Sequence, residues 1–439
     1  MNVLLTTVVL GIGVAADPVA SNTWPGFRGD GTGLSAARQL PVRWSPAEIA
    51  WKANLPGYGQ SSPVVWKDQV FVTAVEGEQR DKGYLAALDA KTGKEKWRHT
   101  FEPTLKAKWG SFISRASGTP LVDASAVYAF FEGGNLLALS HEGKLLWERS
   151  LVKDFGEFQN GHGLGTSPAQ TENAVIVLVD HRGPSYLLAV DKKNGKTLWK
   201  TERPARSSWT SPVVARRDGK DLVIVSSNGS VAAYDAATGK LLWEHEGLAG
   251  NTLPSACVVG ERVLFGAGLN ERMPVKPEVA NRSNGCLKLT SAEGKPAFEV
   301  LWTGKKGIAS YASPLAHRGR AYFVNEVGVV HCYDLDTGKL HFAERIDGQC
   351  WASPIAVGDH VYFFGKNGTT TVLKAADSFS KVAANELWKA EAQPEAEEPK
   401  DKEQGGRYTK LDPVVYGAAA IDGAIFVRTG TNLYRIGKP

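Results

Sequence analysis

Cysteine is scarce in this 439-residue chain: Cys257, Cys286, Cys332 and Cys350 show no CxxC spacing and no adjacent pair. No zinc ribbon or thioredoxin-like motif can be built from them, and they are assigned to strand or core positions with their pairing left open. Neither sign of charge dominates, since 51 Lys+Arg against 46 Asp+Glu leave a formal charge of +5. A polycationic tail is excluded, and such mild basicity gives no reason to expect a nucleic-acid partner. Past the amino terminus no apolar run approaches the roughly 20 residues that cross a bilayer. Disorder is excluded as well, because 43% apolar and 22% charged residues are ordinary for a chain with a sizeable core. Methionine is rare, at 2, whereas 47 Gly and 13 Trp suggest many turns and a recurring aromatic anchor.

The one apolar run, residues 3–16, reads VLLTTVVLGIGVAA and is followed by Asp17-Pro18. Its length and small-residue end fit a signal peptide over residues 1–16, although Met1-Asn2 carries no Lys or Arg. No Cys lies near the cleavage point, so lipid attachment there is not expected. The mature chain is expected to be periplasmic or secreted, with a leader over residues 17–47.

Internal repetition sets the expected fold. Three copies are clear: Ala87-Leu-Asp89 to Thr92-Gly93-Lys94-Glu-Lys-Trp97, Ala189-Val-Asp191 to Asn194-Gly195-Lys196-Thr-Leu-Trp199, and Ala233-Tyr-Asp235 to Thr238-Gly239-Lys240-Leu-Leu-Trp243. A shortened copy ends at Trp147, a diverged one at Phe342, and another has its tryptophan delayed to Trp302. Apolar residues alternate with period two on both sides of Asp and Gly, which is the pattern of a hairpin. The Asp caps backbone amides of its turn and Gly accepts a left-handed conformation, so these aspartates are structural. The Trp offers a broad apolar face to the neighbouring unit and is read as a staple.

A second signal precedes each innermost strand: Ser62-Pro63, Thr119-Pro120, Ser167-Pro168, Ser211-Pro212, Ser255-Ala256, Ser313-Pro314, Ser353-Pro354 and Gly417-Ala418. Outer-strand aromatics also number eight: Trp51, Trp97, Trp147, Trp199, Trp243, Trp302, Phe342 and Trp388. Trp51 precedes the first Ser-Pro, and the last unit has no such residue. The two counts agree if the segment from Ile49 to Leu55 supplies the outer strand of the last unit. The expectation is an all-β chain: one eight-bladed propeller of four-stranded antiparallel blades over residues 48–437, closed by the N-terminal strand.

The Ala-x-Asp-x-x-Thr-Gly-Lys-x-x-Trp units resemble the PQQ-like, quinoprotein-type propeller repeat over roughly residues 24–437. The opening Trp24-Pro25-Gly-Phe27-Arg28-Gly29 is similar to the leader of BamB-type secreted propellers. The resemblance implies either a quinoprotein dehydrogenase or a non-enzymatic envelope protein. Larger quinoprotein alcohol dehydrogenases carry an adjacent Cys-Cys disulfide and a Ca²⁺ site beside a catalytic Asp. This chain has no adjacent cysteines, its recognisable aspartates belong to turns, and no run resembles a calcium loop.

Loops leading into the innermost strands converge on the axis, so residues just before each Ser-Pro are candidates for a shared rim. These are Tyr58, Arg115, His162, Trp209, Asn251, Tyr311, Trp351 and Tyr416. Aromatics with one Arg and one His can hold a planar or peptide-like ligand; alternatively they only cover blade edges. His162 sits in Asn160-Gly-His162-Gly-Leu-Gly with no visible nucleophile, and is equally a solvent-facing loop residue. Insertions at residues 101–117 (Lys106, Lys108, Trp109, Phe112), 270–284 (Arg272, Lys276, Arg282) and 391–413 offer further exposed contact surface. The expected function is an exported, non-catalytic, monomeric scaffold that binds envelope or secreted proteins without cofactor or metal, in outer-membrane protein assembly. The alternative is a PQQ-dependent alcohol or sugar dehydrogenase with Ca²⁺, with His162 or Arg115 near the quinone.

Overall fold

The structure, a computed structural model, describes residues 21–77, 79–106, 114–269, 275–305, 309–388 and 413–438. The signal segment 1–16, Lys108, Trp109, Phe112 and Arg272, and all but Pro413 of the 391–413 insertion lie outside the described residues. The chain forms an eight-bladed propeller of antiparallel four-stranded blades. Blade one runs outward from Val64–Trp66 through Gln69–Glu76 and Lys82–Asp89 to Glu95–Phe101. Blade eight comprises Gly417–Ile421, Ala424–Arg428 and Asn432–Ile436, and Ile49–Asn54 completes it as the outer strand. Lys52↔Tyr434 and Ala53↔Leu433 set the closing register.

Each outer strand carries a register shift one residue before its anchor site, which is aromatic in every blade but the seventh, for example between Ile49 and Trp51 and between Leu145 and Trp147. The extra residue is expelled, which is why Leu146 and Leu198 are about half exposed, at 48% and 50%. The added twist turns the following tryptophan toward the next blade. Trp51 then lies on Gly93, where a Cβ would sit 2.7 Å from the indole and φ is +70°, and its Nε1 donates to Ala90 O. Trp97, Trp147, Trp199 and Trp302 likewise donate to His141, Lys192, Ala236 and Leu335 carbonyls of the following blade. Trp243 meets Phe298 at 4.8 Å instead of a glycine, and Phe342 meets Phe379 at 5.7 Å.

Trp388 departs from the outer-strand position assigned to it. In blade seven Ala383 pairs with Val372 at the anchor site of the outer strand Lys381–Glu386, and Trp388 lies beyond that strand. Its ring covers Gly368 of its own blade and reaches Tyr434 at 6.0 Å. Blade seven lacks the Thr-Gly-Lys turn, and its connection from Val372 to the anchor site Ala383 is longer than that from Ala87 to Trp97.

Two rings of contacts organise the hub. The N–H of Ser62 donates to Thr119 Oγ1, Thr119 to Ser167 Oγ, and the series continues through Ser211, Ser255, Ser313 and Ser353 at 2.8 to 3.0 Å. The Ser-Pro signal is therefore a hydroxyl girdle whose six bonds link blades one to seven in series. Below it the leader fills the channel. Thr23–Trp24 adds a fifth strand inside blade one, Pro25 O accepts from Val122, and Gly31 abuts Val213. Arg28, buried at φ +59°, donates to Ala256 O and Pro314 O. Gly33 O accepts from Ala356, and Ser35 Oγ donates to Ala420 O. All four cysteines are buried thiols.

Two variants test this hub. Ser211→Ala removes the acceptor of the buried Ser167 amide and is expected to cost about 1–3 kcal/mol in urea unfolding. Trp51→Ala empties the closing seam and is expected to cost about 3–5 kcal/mol.

Candidate binding face

Inner strands descend from the girdle, so one face of the ring carries the loops entering them and the turns between second and third strands. Five of the eight rim candidates meet there in one arc. Tyr311 and Trp351 approach at 5.4 Å between ring centroids, Trp351 and Tyr416 at 6.0 Å, and Tyr416 and Tyr58 at 6.1 Å. The Tyr58 and Tyr416 hydroxyls are 2.5 Å apart, and the Arg115 guanidinium lies 5.1 Å from the centre of the Tyr58 ring. The arc passes over blades six, seven, eight and one and ends on the loop entering blade two.

His162 and Trp209 form a separate pair at 6.1 Å, with Trp209 Nε1 donating to Gly163 O. Asn251 belongs to neither group. It is fully buried, and its amide nitrogen donates to Ser227 O and Ser230 O while its oxygen accepts from Gly229 N, so it braces blade four beneath the surface. An asparagine counted as a rim residue by spacing alone is thus consumed by backbone groups, as buried amides usually are.

Lys366 was not among the candidates, yet its Nζ sits 3.8 Å from the centre of the Trp351 ring and 3.4 Å from Gln349 Oε1. Burial lowers its pKa from the ordinary lysine value. Only the turn signal Gly365-Lys366-Asn367-Gly368 could have flagged it. Beneath Arg115, the buried Glu132 accepts the Ala116 N–H with both oxygens and lies 3.8 Å from Arg80. Burial raises the Glu132 carboxyl, against the pull of the Ala116 amide and Arg80. Burial also brings Arg80 down to about 10, Glu132 opposing that and Arg115 adding to it. The arc is thus an aromatic surface bearing two cations, one at its Arg115 end and one at Trp351.

The loop of His162 rests on a residue that pattern reading passed over. His181 is buried, and its Nδ1 accepts from the amides of both Gln159 and Gly183 at 3.0 Å. Burial holds its pKa below the ordinary value.

A family model described as outer membrane protein assembly factor BamB matches residues 23–163, 158–292 and 287–401, most of the chain. The chain belongs to that family. Among curated relatives, the outer membrane protein assembly factor BamB of Burkholderia pseudomallei is 28% identical over 220 residues, covering 49% of this chain and 52% of that protein. A polyvinylalcohol dehydrogenase from a Pseudomonas species is 25% identical over 281 residues, covering 52% and 41%. The chain thus matches about half the length of these relatives. Among solved structures, the quinohemoprotein alcohol dehydrogenase of Comamonas testosteroni superposes with a TM-score of 0.64 at 14% identity, covering 97% of this chain and 82% of that one. That likeness concerns the fold alone.

The face of this BamB-family chain was tested for the quinone and Ca²⁺ of the dehydrogenases. Among the described residues no group of three or more His, Cys, Asp or Glu could hold a metal ion. The buried carboxylates nearest the face are engaged elsewhere: Glu132 as above, and Asp180 with Arg203 at 2.9 Å and with the Ser227 hydroxyl.

The His181 geometry makes a pH prediction. Its folded pKa lies below the unfolded value of roughly 6.5, so its stabilisation is complete above that value and is lost as pH falls below it. His245, His317 and His331 are lowered by burial and act in the same direction. The urea midpoint is expected to hold above about pH 7 and to fall between about pH 6.5 and 5. His181→Asn keeps an acceptor without a titrating ring and should make that fall shallower.

Proposed function

We propose that this chain is an exported, non-catalytic, monomeric scaffold in outer-membrane protein assembly, working in the periplasm through its girdle-side face. The observation that carries this reading is the continuous arc of Tyr311, Trp351, Tyr416, Tyr58 and Arg115, with Lys366 stacked on it. Exposed apolar residues Leu253, Leu269 and Val327 extend the same face over blades five and six. Rigid aromatic anchors flanked by cations suit a protein surface with apolar and acidic groups, and little ordering entropy is lost because the hub already holds the arc in place. Family membership and the BamB relative support the assembly role. No helix among the described residues is long and apolar enough to cross a membrane. On this reading no quinone or Ca²⁺ is used.

The polyvinylalcohol dehydrogenase relative supports a second reading, a PQQ-dependent dehydrogenase. The two separate cleanly. Trp351→Ala with Lys366→Glu is expected to reduce co-purification of outer-membrane assembly proteins from envelope extract by about 30-fold with the fold intact. Unchanged capture would count against the scaffold. Quinone absorbance retained by the protein after addition of PQQ and Ca²⁺, with dye reduction by alcohols or sugars, would establish the dehydrogenase instead.

A further inference from the structure

The opposite face, formed by turns between first and second and between third and fourth strands, carries one departure from the repeat that the binding face does not explain. In each blade one third-strand residue pairs with the outer-strand anchor site on one side and with a second-strand residue on the other. In blades one to seven that residue is Ala87, Ala138, Ala189, Ala233, Cys286, Cys332 and Val372. In blade eight it is Arg435, between Trp51 and Phe426. Seven small side chains give way to the largest cation at the seam where the ring closes.

Arg435 does not wedge the aromatic pair apart. The Trp51 and Phe426 centroids are 5.9 Å apart, against 5.9 Å for Phe71 and Trp97 beside Ala87 and 6.1 Å for Tyr128 and Trp147 beside Ala138. Its side chain runs past the rings, and Nη2 donates to Lys438 O at 2.8 Å. The residue is 7% exposed, yet Nε and Nη1 make no hydrogen bond. Leaving such donors unmade is costly, and a buried charge more so. Burial lowers its pKa from the ordinary arginine value, with Asp89 opposing.

Arg435 lines a groove of about 380 Å³ between blades eight and one, with Nε and Nη1 buried beneath its surface. Ala90, Ile421 and Phe426 form its apolar wall, and Lys67, Lys91 and Asn22 lie at its exposed edge. Its two carboxylates are already engaged: Asp68 by Lys96 at 2.6 Å, and Asp422 by the Arg38 amide at 3.1 Å. The groove therefore combines three cations against two carboxylates, an apolar wall and a buried guanidinium with unused donors. We propose that it binds a small carboxylate with an apolar body, the carboxylate on Arg435 and the body against Phe426 and Ile421. A single anionic head matches one guanidinium in charge, and the apolar wall would be wasted on a bare inorganic anion.

The probe is hexanoate, titrated calorimetrically into the full chain, with 1-hexanol and inorganic phosphate as controls. One site is expected, with hexanol and phosphate each at least about tenfold weaker, and Arg435→Met lowering hexanoate affinity by about tenfold or more. Because Arg435→Met removes a buried group, two further readouts stand beside it. Lys67→Glu with Lys91→Glu alters exposed residues only and should weaken binding by about threefold. The ¹⁵Nε resonance of Arg435 should shift saturably with hexanoate. Absence of that shift, or hexanoate affinity unchanged in Arg435→Met, overturns the site. Hexanol or phosphate binding as tightly as hexanoate overturns the carboxylate assignment. None of these outcomes bears on the scaffold face at the other side of the ring.

Discussion

The propeller depends on one repeated interaction, a backbone amide of each of blades one to six donating to a hydroxyl of the next at the hub. These amides are buried and have no ladder partner at the strand start, so each would be orphaned without its neighbour's Ser or Thr. The interaction fixes the radial position of every inner strand and hence the level at which entry loops emerge. It also dictates its own exception. At Gly417 a Cβ would lie 2.1 Å from Ser62 Oγ, so the eighth position can carry neither serine nor threonine. The series is interrupted at the blade the closing strand completes, where β-pairing of Ile49–Asn54 with Asn432–Ile436 does the joining.

Blade number, strand polarity and closure were legible because they rest on local chemistry repeated many times. Asp89 and Asp235 bind the amides two and three residues on, a relation visible in any single copy of the motif. What escaped reading is long-range or singular. Arg28 reaches carbonyls 228 and 286 residues away, and no periodicity announces such a contact. Trp388 was misplaced because the turn before it departs from the motif and its register could not be counted from the residue type. Position just before each Ser-Pro brought Tyr311, Trp351, Tyr416 and Tyr58 together. The same nearness gave Asn251, whose depth depends on how Ser226 to Ser230 turn in blade four.

The two faces of the ring differ in kind. One displays aromatic rings and cations held by a rigid hub, a surface fit for contact over area. The other is made of tight turns whose aspartates are consumed by their own backbones. The leader lies between the two, since Trp24 to Ser35 touch seven of the eight inner strands below the girdle.

The closing strand Ile49–Asn54 is made before blade one, whereas the blade it completes follows blade seven. That strand must wait, unpaired, until Asn432–Ile436 has emerged. Blades one to seven can pair their own strands meanwhile, but the native circle cannot seal during synthesis. The topology makes emergence of Asn432–Ile436 the checkpoint for closure, and a product ended before it keeps an exposed sheet edge for proteases to find.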